Sequence, residues 1–174
     1  MIFPILALLW MATPLCAGPI VVDAGWYGFC FGGDGSPATA GCQNQGIDTT
    51  GNTFTFTAMG PVWFNITDAF QKGDTFLVKI DSDPVGFTTP TVLEDVSTTG
   101  NPDLAFADPS YSHSSVLLGI GPHTIDVFAA HSPYGSGGAY LEVVTPVPEP
   151  ASMLLIGSGL IGLAGYGRKK LFKK

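Results

Sequence analysis

Short runs of period-two alternation, broken by glycine and proline, constrain this chain more than any other feature. Thr53-Phe54-Thr55-Phe56-Thr57 puts both phenylalanines on one face of an extended segment. Val62, Phe64 and Ile66 repeat the pattern with Trp63, Asn65 and Thr67 opposite, and Phe76, Val78 and Ile80 repeat it with Lys79 outward. Val116, Leu118 and Ile120 form a further set, then Ile125, Val127 and Ala129, then Leu141 and Val143. Turn signals separate the runs: Met59-Gly60-Pro61, Lys72-Gly73-Asp74, Gly119-Ile120-Gly121-Pro122 and Gly135-Ser136-Gly137-Gly138. Strands at this spacing predict an all-β fold, an antiparallel β-sandwich or jelly roll, over residues 18–145. The stretch from Thr88 to His113 is less regular and predicts one or two strands plus long loops.

Charge divides the chain in two. Between Gly18 and Val147 stand thirteen acidic residues against two lysines, Lys72 and Lys79, while the other five basic residues crowd the last seven positions. An acidic body repels phosphate backbones, so nucleic acid is not an expected partner.

The two ends read as addresses. MIFPILALLWMATPLCAG is an uncharged apolar run that reaches small residues at Ala17 and Gly18, so residues 1–17 predict a secretory signal peptide. No charged side chain occurs from Ala151 to Gly167. At about 1.5 Å per residue such a helix reaches about 25 Å, which predicts a short transmembrane helix over 151–167. Arg168, Lys169 and Lys170 follow at once, with Lys173 and Lys174 behind, and predict a cytoplasmic basic tip over 168–174. The six residues GSGLIG, Gly157 to Gly162, fit the letters of a dinucleotide-binding fingerprint. The strand that should precede it and the acidic residue that should follow are both missing, and the glycines belong to the apolar helix.

These C-terminal features, in order, resemble a PEP-CTERM protein-sorting tail. Pro148, Glu149 and Pro150 match the Pro-Glu-Pro of that family, and the Gly-rich apolar helix and Gly167-Arg168-Lys169-Lys170 follow. The resemblance implies export and recognition by an exosortase, a membrane-embedded cysteine peptidase. It implies transient anchoring in the inner membrane, cleavage near Pro-Glu-Pro, and delivery to the cell surface or matrix of an exopolysaccharide-making Gram-negative bacterium. The prolines of residues 146–150 hold that linker extended. In the body, TDAFQKGDTF and DPSYSHSSVLLGIGPHTIDV resemble β-rich ectodomains of other PEP-CTERM proteins, which names no activity.

Signal removal takes Cys16 and leaves Cys30 and Cys42, which predict one disulfide. It closes GGDGSPATAG, a loop that is not expected to hold itself in place. Within it, Gly32 to Pro37 shares letters with the serine loop of trypsin-like proteases, but out of order. His113, His123 and His131 lack the short spacing of common zinc sites. Asp81-Ser82-Asp83 begins like a calcium loop, yet Val85 and Val92 stand where an EF-hand needs oxygen donors. Calcium held in a sandwich loop by Asp81, Asp83 or the Glu94-Asp95 pair is the one cofactor reading left open. Trp26, Tyr27 and Trp63 are candidates for a sugar-stacking surface. The leading expectation is a non-enzymatic, surface-sorted β-sandwich. The alternatives are a module binding exopolysaccharide and, third, a small secreted hydrolase, whose paired carboxylates would have to meet in a cleft.

Overall fold

The computed structural model describes residues 19–40, 53–88 and 98–147. Over these residues the chain is built almost wholly from antiparallel strands. They are β1 (Tyr27–Phe31), β2 (Thr39–Ala40), β3 (Thr53–Ala58), β4 (Val62–Asp68), β5 (Phe70–Gln71), β6 (Thr75–Ile80), β7 (Asp83–Phe87), β8 (Thr98–Thr99), β9 (His113–Leu118), β10 (Gly121–His131) and β11 (Gly137–Val144). One short helix, α1 (Pro102–Ala107), lies between β8 and β9.

The strands form two main sheets, ordered β2-β1-β11-β4-β9 and β3-β10-β6-β7, with a small β5-β8 ladder beside them. Strands β3 and β4, β9 and β10, and β10 and β11 are neighbours in sequence but lie in different sheets. Each inward face is apolar at alternate positions, so the two faces bury each other. Phe29 and Phe31 of β1 meet Phe54 of β3 and Phe76 of β6 across the gap. The ring centroids are 6.1 Å apart for Phe29–Phe54, 5.5 Å for Phe29–Phe76 and 5.0 Å for Phe31–Phe76. Phe64, Ile66, Ile125, Val127, Leu141 and Val143 fill the same core.

Most predicted runs became strands, and the departures have local causes. Ile120, expected inward, is 73% exposed because β9 ends at Leu118 and Gly119-Ile120 turns the chain into β10. The irregular stretch contains α1. Asn101 caps it, its Oδ1 accepting from the Asp103 and Leu104 N–H groups at 3.0 and 3.3 Å, and Pro102 opens the first turn. The segment after β1 is not loose. Gly35 and Ala38 donate backbone N–H groups to the Ala129 and Val127 carbonyls of β10, and the Ala129 N–H donates to the Ser36 carbonyl.

Asp81 and Ser82 are the two central residues of a hairpin turn, with φ of 53° and 76°, between Ile80 and its partner Asp83. Positive φ at both positions marks a type I′ turn, where Asp tolerates the left-handed region. The stretch that began like a calcium loop is therefore a two-residue hairpin.

No helix among the described residues is long and apolar enough to cross a membrane. The predicted signal segment 1–17 and membrane segment 151–167, together with Cys42, Glu94, Asp95, Pro148, Glu149, Pro150, Arg168, Lys169 and Lys170, lie outside the described residues.

Phe29 is fully buried and touches three other rings. We expect Phe29→Ala to cost about 3–5 kcal/mol in urea denaturation. A loss below about 1 kcal/mol would show that this seam does not hold the sheets together.

Candidate functional site

The outer face of the five-stranded sheet carries a row of hydrogen-bonded polar side chains beside an exposed tryptophan. Register sets Asn65 of β4 beside Ser115 of β9 on one side and Glu142 of β11 on the other. The three side chains form a chain of hydrogen bonds. The Ser115 hydroxyl donates to Asn65 Oδ1 at 2.7 Å, and the Asn65 amide donates to Glu142 Oε1 at 2.9 Å. Two positions along β4, Trp63 presents its ring and is 38% exposed.

Helix α1 supplies the opposite wall. Phe106 stacks against Trp26 with ring centroids 5.5 Å apart, and against His113 edge-on at 5.5 Å. Trp26 Nε1 donates to Asp103 Oδ1 at 2.8 Å and ties the helix to the segment before β1. Trp63, Asn65, Phe106 and Ser115 line a cavity of about 290 Å³. Burial pushes the Glu142 carboxyl up; its bond from Asn65 opposes this and the charge of Asp103 adds to it. A second cavity, about 300 Å³, lies over β6 and β10 and is lined by Gly35, Leu77, Lys79, Phe128, Ala129 and Ala130, with no side-chain hydroxyl or amide.

The described body ends in a fixed exit. After β11, the Thr145 N–H donates to Asp23 Oδ1 at 2.7 Å, and the Thr145 hydroxyl lies 3.2 and 3.1 Å from the two Asp23 oxygens. Thr145, Pro146 and Val147 are exposed. The extended proline segment therefore begins at the end of an inner sheet strand. The family model for the PEP-CTERM protein-sorting motif matches residues 146–169, starting at the residue after this clamp.

The chain carries a PEP-CTERM sorting motif.

No curated protein matches the chain. Among solved structures, the pre-peptidase C-terminal domain of collagenase from Bacillus anthracis is 14% identical, over 52% of this chain and 73% of its own, with a TM-score of 0.31. A likeness that slight carries no argument about the body that precedes the motif.

Of the three aromatic residues singled out by sequence, the structure brings only Trp63 to an open surface. Tyr27 is 5% exposed and points into the core end of the sandwich, its hydroxyl accepting from the Val21 N–H at 2.8 Å. Trp26 is half-buried and supports Phe106. Asn65, Asp103, Phe106, Ser115 and Glu142 were not legible as a group, because they come from α1 and three strands. Asp81 is taken by the Thr124 N–H and His123, at 2.8 Å each, and Asp83 sits in β7 opposite Ile80. No group of three His, Cys, Asp or Glu side chains among the described residues is placed to hold a metal ion. Cys30 is disulfide-bonded. The other cysteines of the chain, Cys16 and Cys42, lie outside the described residues.

A buried acidic cluster was also missed. Asp68 accepts the N–H groups of Ala69, Gly73 and Asp74 at 2.8, 3.2 and 3.3 Å and so shapes the turn between β4 and β6. Burial, then the neighbouring Asp74, outweighs those bonds and raises the Asp68 carboxyl to about 8. Burial raises Asp74 to about 6; Ser132 and His131 oppose the rise and Asp34 adds to it. Lys72, itself 3% exposed, sits 3.5 Å from Asp108 and over the Tyr111 ring.

Asp68 and Asp74 are held above their ordinary value, so the unfolded chain releases protons that the folded chain keeps, and stability falls as pH rises. His123 adds to this trend. Burial disfavours its charge, but the Gly119 carbonyl and Asp81 outweigh that and raise it, so its contribution is lost as pH rises through the folded value. The opposite limb comes from three depressed carboxyls. The Ser132 N–H is the chief cause at Asp34 and the Ser110 hydroxyl at Asp108; at Asp81 burial is outweighed by His123 and the Thr124 N–H. Their contribution is lost as pH falls through the folded values. We expect maximal stability at about pH 4, with a decline as pH rises toward about 8. Asp74→Asn should raise stability by about 1–3 kcal/mol at pH 8 and by much less at pH 4.5. Equal effects in thermal melts at both pH values would contradict the assignment.

Proposed function

We propose that this chain is an exported protein, sorted by an exosortase, whose non-enzymatic β-sandwich body acts at the cell surface or in the extracellular matrix. The observation that carries the reading is the PEP-CTERM motif at residues 146–169. A signal peptide at 1–17 starts export, the helix at 151–167 holds the chain in the inner membrane, and Arg168, Lys169 and Lys170 keep its end in the cytoplasm. The acidic body stays outside.

The Asp23–Thr145 clamp supports this division of labour. Backbone pairing of β11 ends at Val144, and the motif match opens at residue 146. A peptidase that reads an extended peptide would meet Pro148-Glu149-Pro150 only a few residues from the folded body, with prolines keeping the segment out of helix and sheet. The three histidines have other duties in the body. His113 Nδ1 is 2.9 Å from the Tyr111 carbonyl, His123 braces the turns at Gly119 and Asp81, and His131 lies 3.5 Å from Asp34.

In a host with an exosortase, Glu149→Ala is expected to leave the full-length chain in the membrane, seen as an unprocessed band on a blot. Normal processing of that variant would overturn the sorting assignment. In the same exported protein, Cys30 is expected to pair with Cys42. Peptide mapping after alkylation without reductant should show that bridge, and a free Cys42 thiol would refute it.

A further inference from the structure

The groove between Trp63 and Phe106 has a chemistry that defines a ligand class. One wall is an exposed indole and the other a phenylalanine ring held by Trp26 and His113. The floor is Ser115 and Asn65, ordered by hydrogen bonds that run on to Glu142 in the next strand. Aromatic walls with a few convergent polar groups are the usual make-up of a small-molecule site, and about 290 Å³ lies just under the usual size of such sites. That space suits one sugar ring. A pyranose has an apolar C–H face that stacks on an indole and a rim of hydroxyls that both donate and accept. The floor meets that rim with both roles, since the Asn65 amide and the Ser115 hydroxyl offer donors and acceptors, while Glu142 holds the Asn65 amide in place.

Charge narrows the class further. Glu142 and Asp103 are close enough for Asp103 to raise the Glu142 carboxyl. Between Gly18 and Val147 acidic residues outnumber lysines thirteen to two. A uronate, sulfate or phosphate on the ligand would be repelled. We propose that this groove binds a neutral glycan, with one pyranose ring stacked on Trp63 and its hydroxyls on Asn65 and Ser115. The proposal rests on the reading of the body as a surface protein only for access to glycans. It is tested on purified protein, so its failure leaves the sorting test untouched.

The test is a titration of the full-length protein in detergent micelles, read by tryptophan fluorescence and calorimetry. The probes are neutral hexaoses of glucose, mannose and N-acetylglucosamine, with an alginate hexamer as the anionic comparison. At least one neutral hexaose is expected to bind in the micromolar-to-millimolar range and to shift the emission, and alginate is not. Trp63→Ala should weaken that binding about fivefold to tenfold. Ser115→Ala, a smaller change to the fold, should weaken it about threefold or more. Ile120→Ala, in the turn between β9 and β10, should leave it unchanged. The proposal is overturned if no neutral hexaose binds, if alginate binds as well as the neutral probes, or if the Trp63 and Ser115 variants bind like the parent. Emission that changes on protein dilution but not with glycan would assign the groove to a second copy of the chain, and would also overturn it.

Discussion

The contact between two aromatic rows holds this body together. Phe29 and Phe31 on one sheet and Phe54 and Phe76 on the other are tilted or edge-on to each other, the arrangement that ring quadrupoles favour. Because the rows belong to facing sheets, the outward positions of each strand are placed as firmly as the inward ones. Phe64 and Ile66 pack inward from β4, so Trp63 and Asn65 must face out. The groove on the outer face is thus a consequence of the core, and so is the fixed end of β11 from which the sorting segment leaves.

The outer face is not uniformly wet, and this shapes what it can do. Ala69, Ala105, Tyr111 and Tyr140 form a second small core, with Trp26 and Phe70 packed against it. It gives α1 a seat on the sheet and buries Thr67, which alternation alone would leave exposed. Beyond it the cover stops, and Trp63 meets solvent beside the Ser115–Asn65–Glu142 row. The buried acids Asp68 and Asp74 lie at the end of β4 and in the turn that follows it. Their raised carboxyls make stability fall as pH rises, while Asp68 keeps the turn in shape.

How much of this was legible in the sequence depended on distance along the chain. Strands β3, β4, β6, β9 and β10 announced themselves, because alternating side chains over about five residues leave a local trace, and β11 did so more weakly through Leu141 and Val143. Strand β1 alternates too, with Tyr27, Phe29 and Phe31 inward, but Cys30 drew the segment into a disulfide-loop reading and Tyr27 into an exposed pair with Trp26. Helix α1 is six residues long, too short for a helical period to register; only the Asn101-Pro102 start signal marks it. The Asp81-Ser82 turn looked like a metal loop because acidic residues suit both, and only the positive φ angles separate them. The groove was the least legible, since its floor is assembled by strand register from positions 65 and 115. The sorting motif was the most legible, because its signal is contiguous and lies in the order of residues itself.

The central claim is that the folded body is delivered outside the cell by processing at its C-terminal tail. Mass spectrometry of the C-terminal peptide, on protein recovered from the surface and medium of an exosortase-positive host, tests it most directly. The account predicts a mature chain that ends near Pro148-Glu149-Pro150 and lacks the apolar helix and basic tip. Extracellular protein that still ends at Lys174, or a body confined to the cytoplasm, would contradict it.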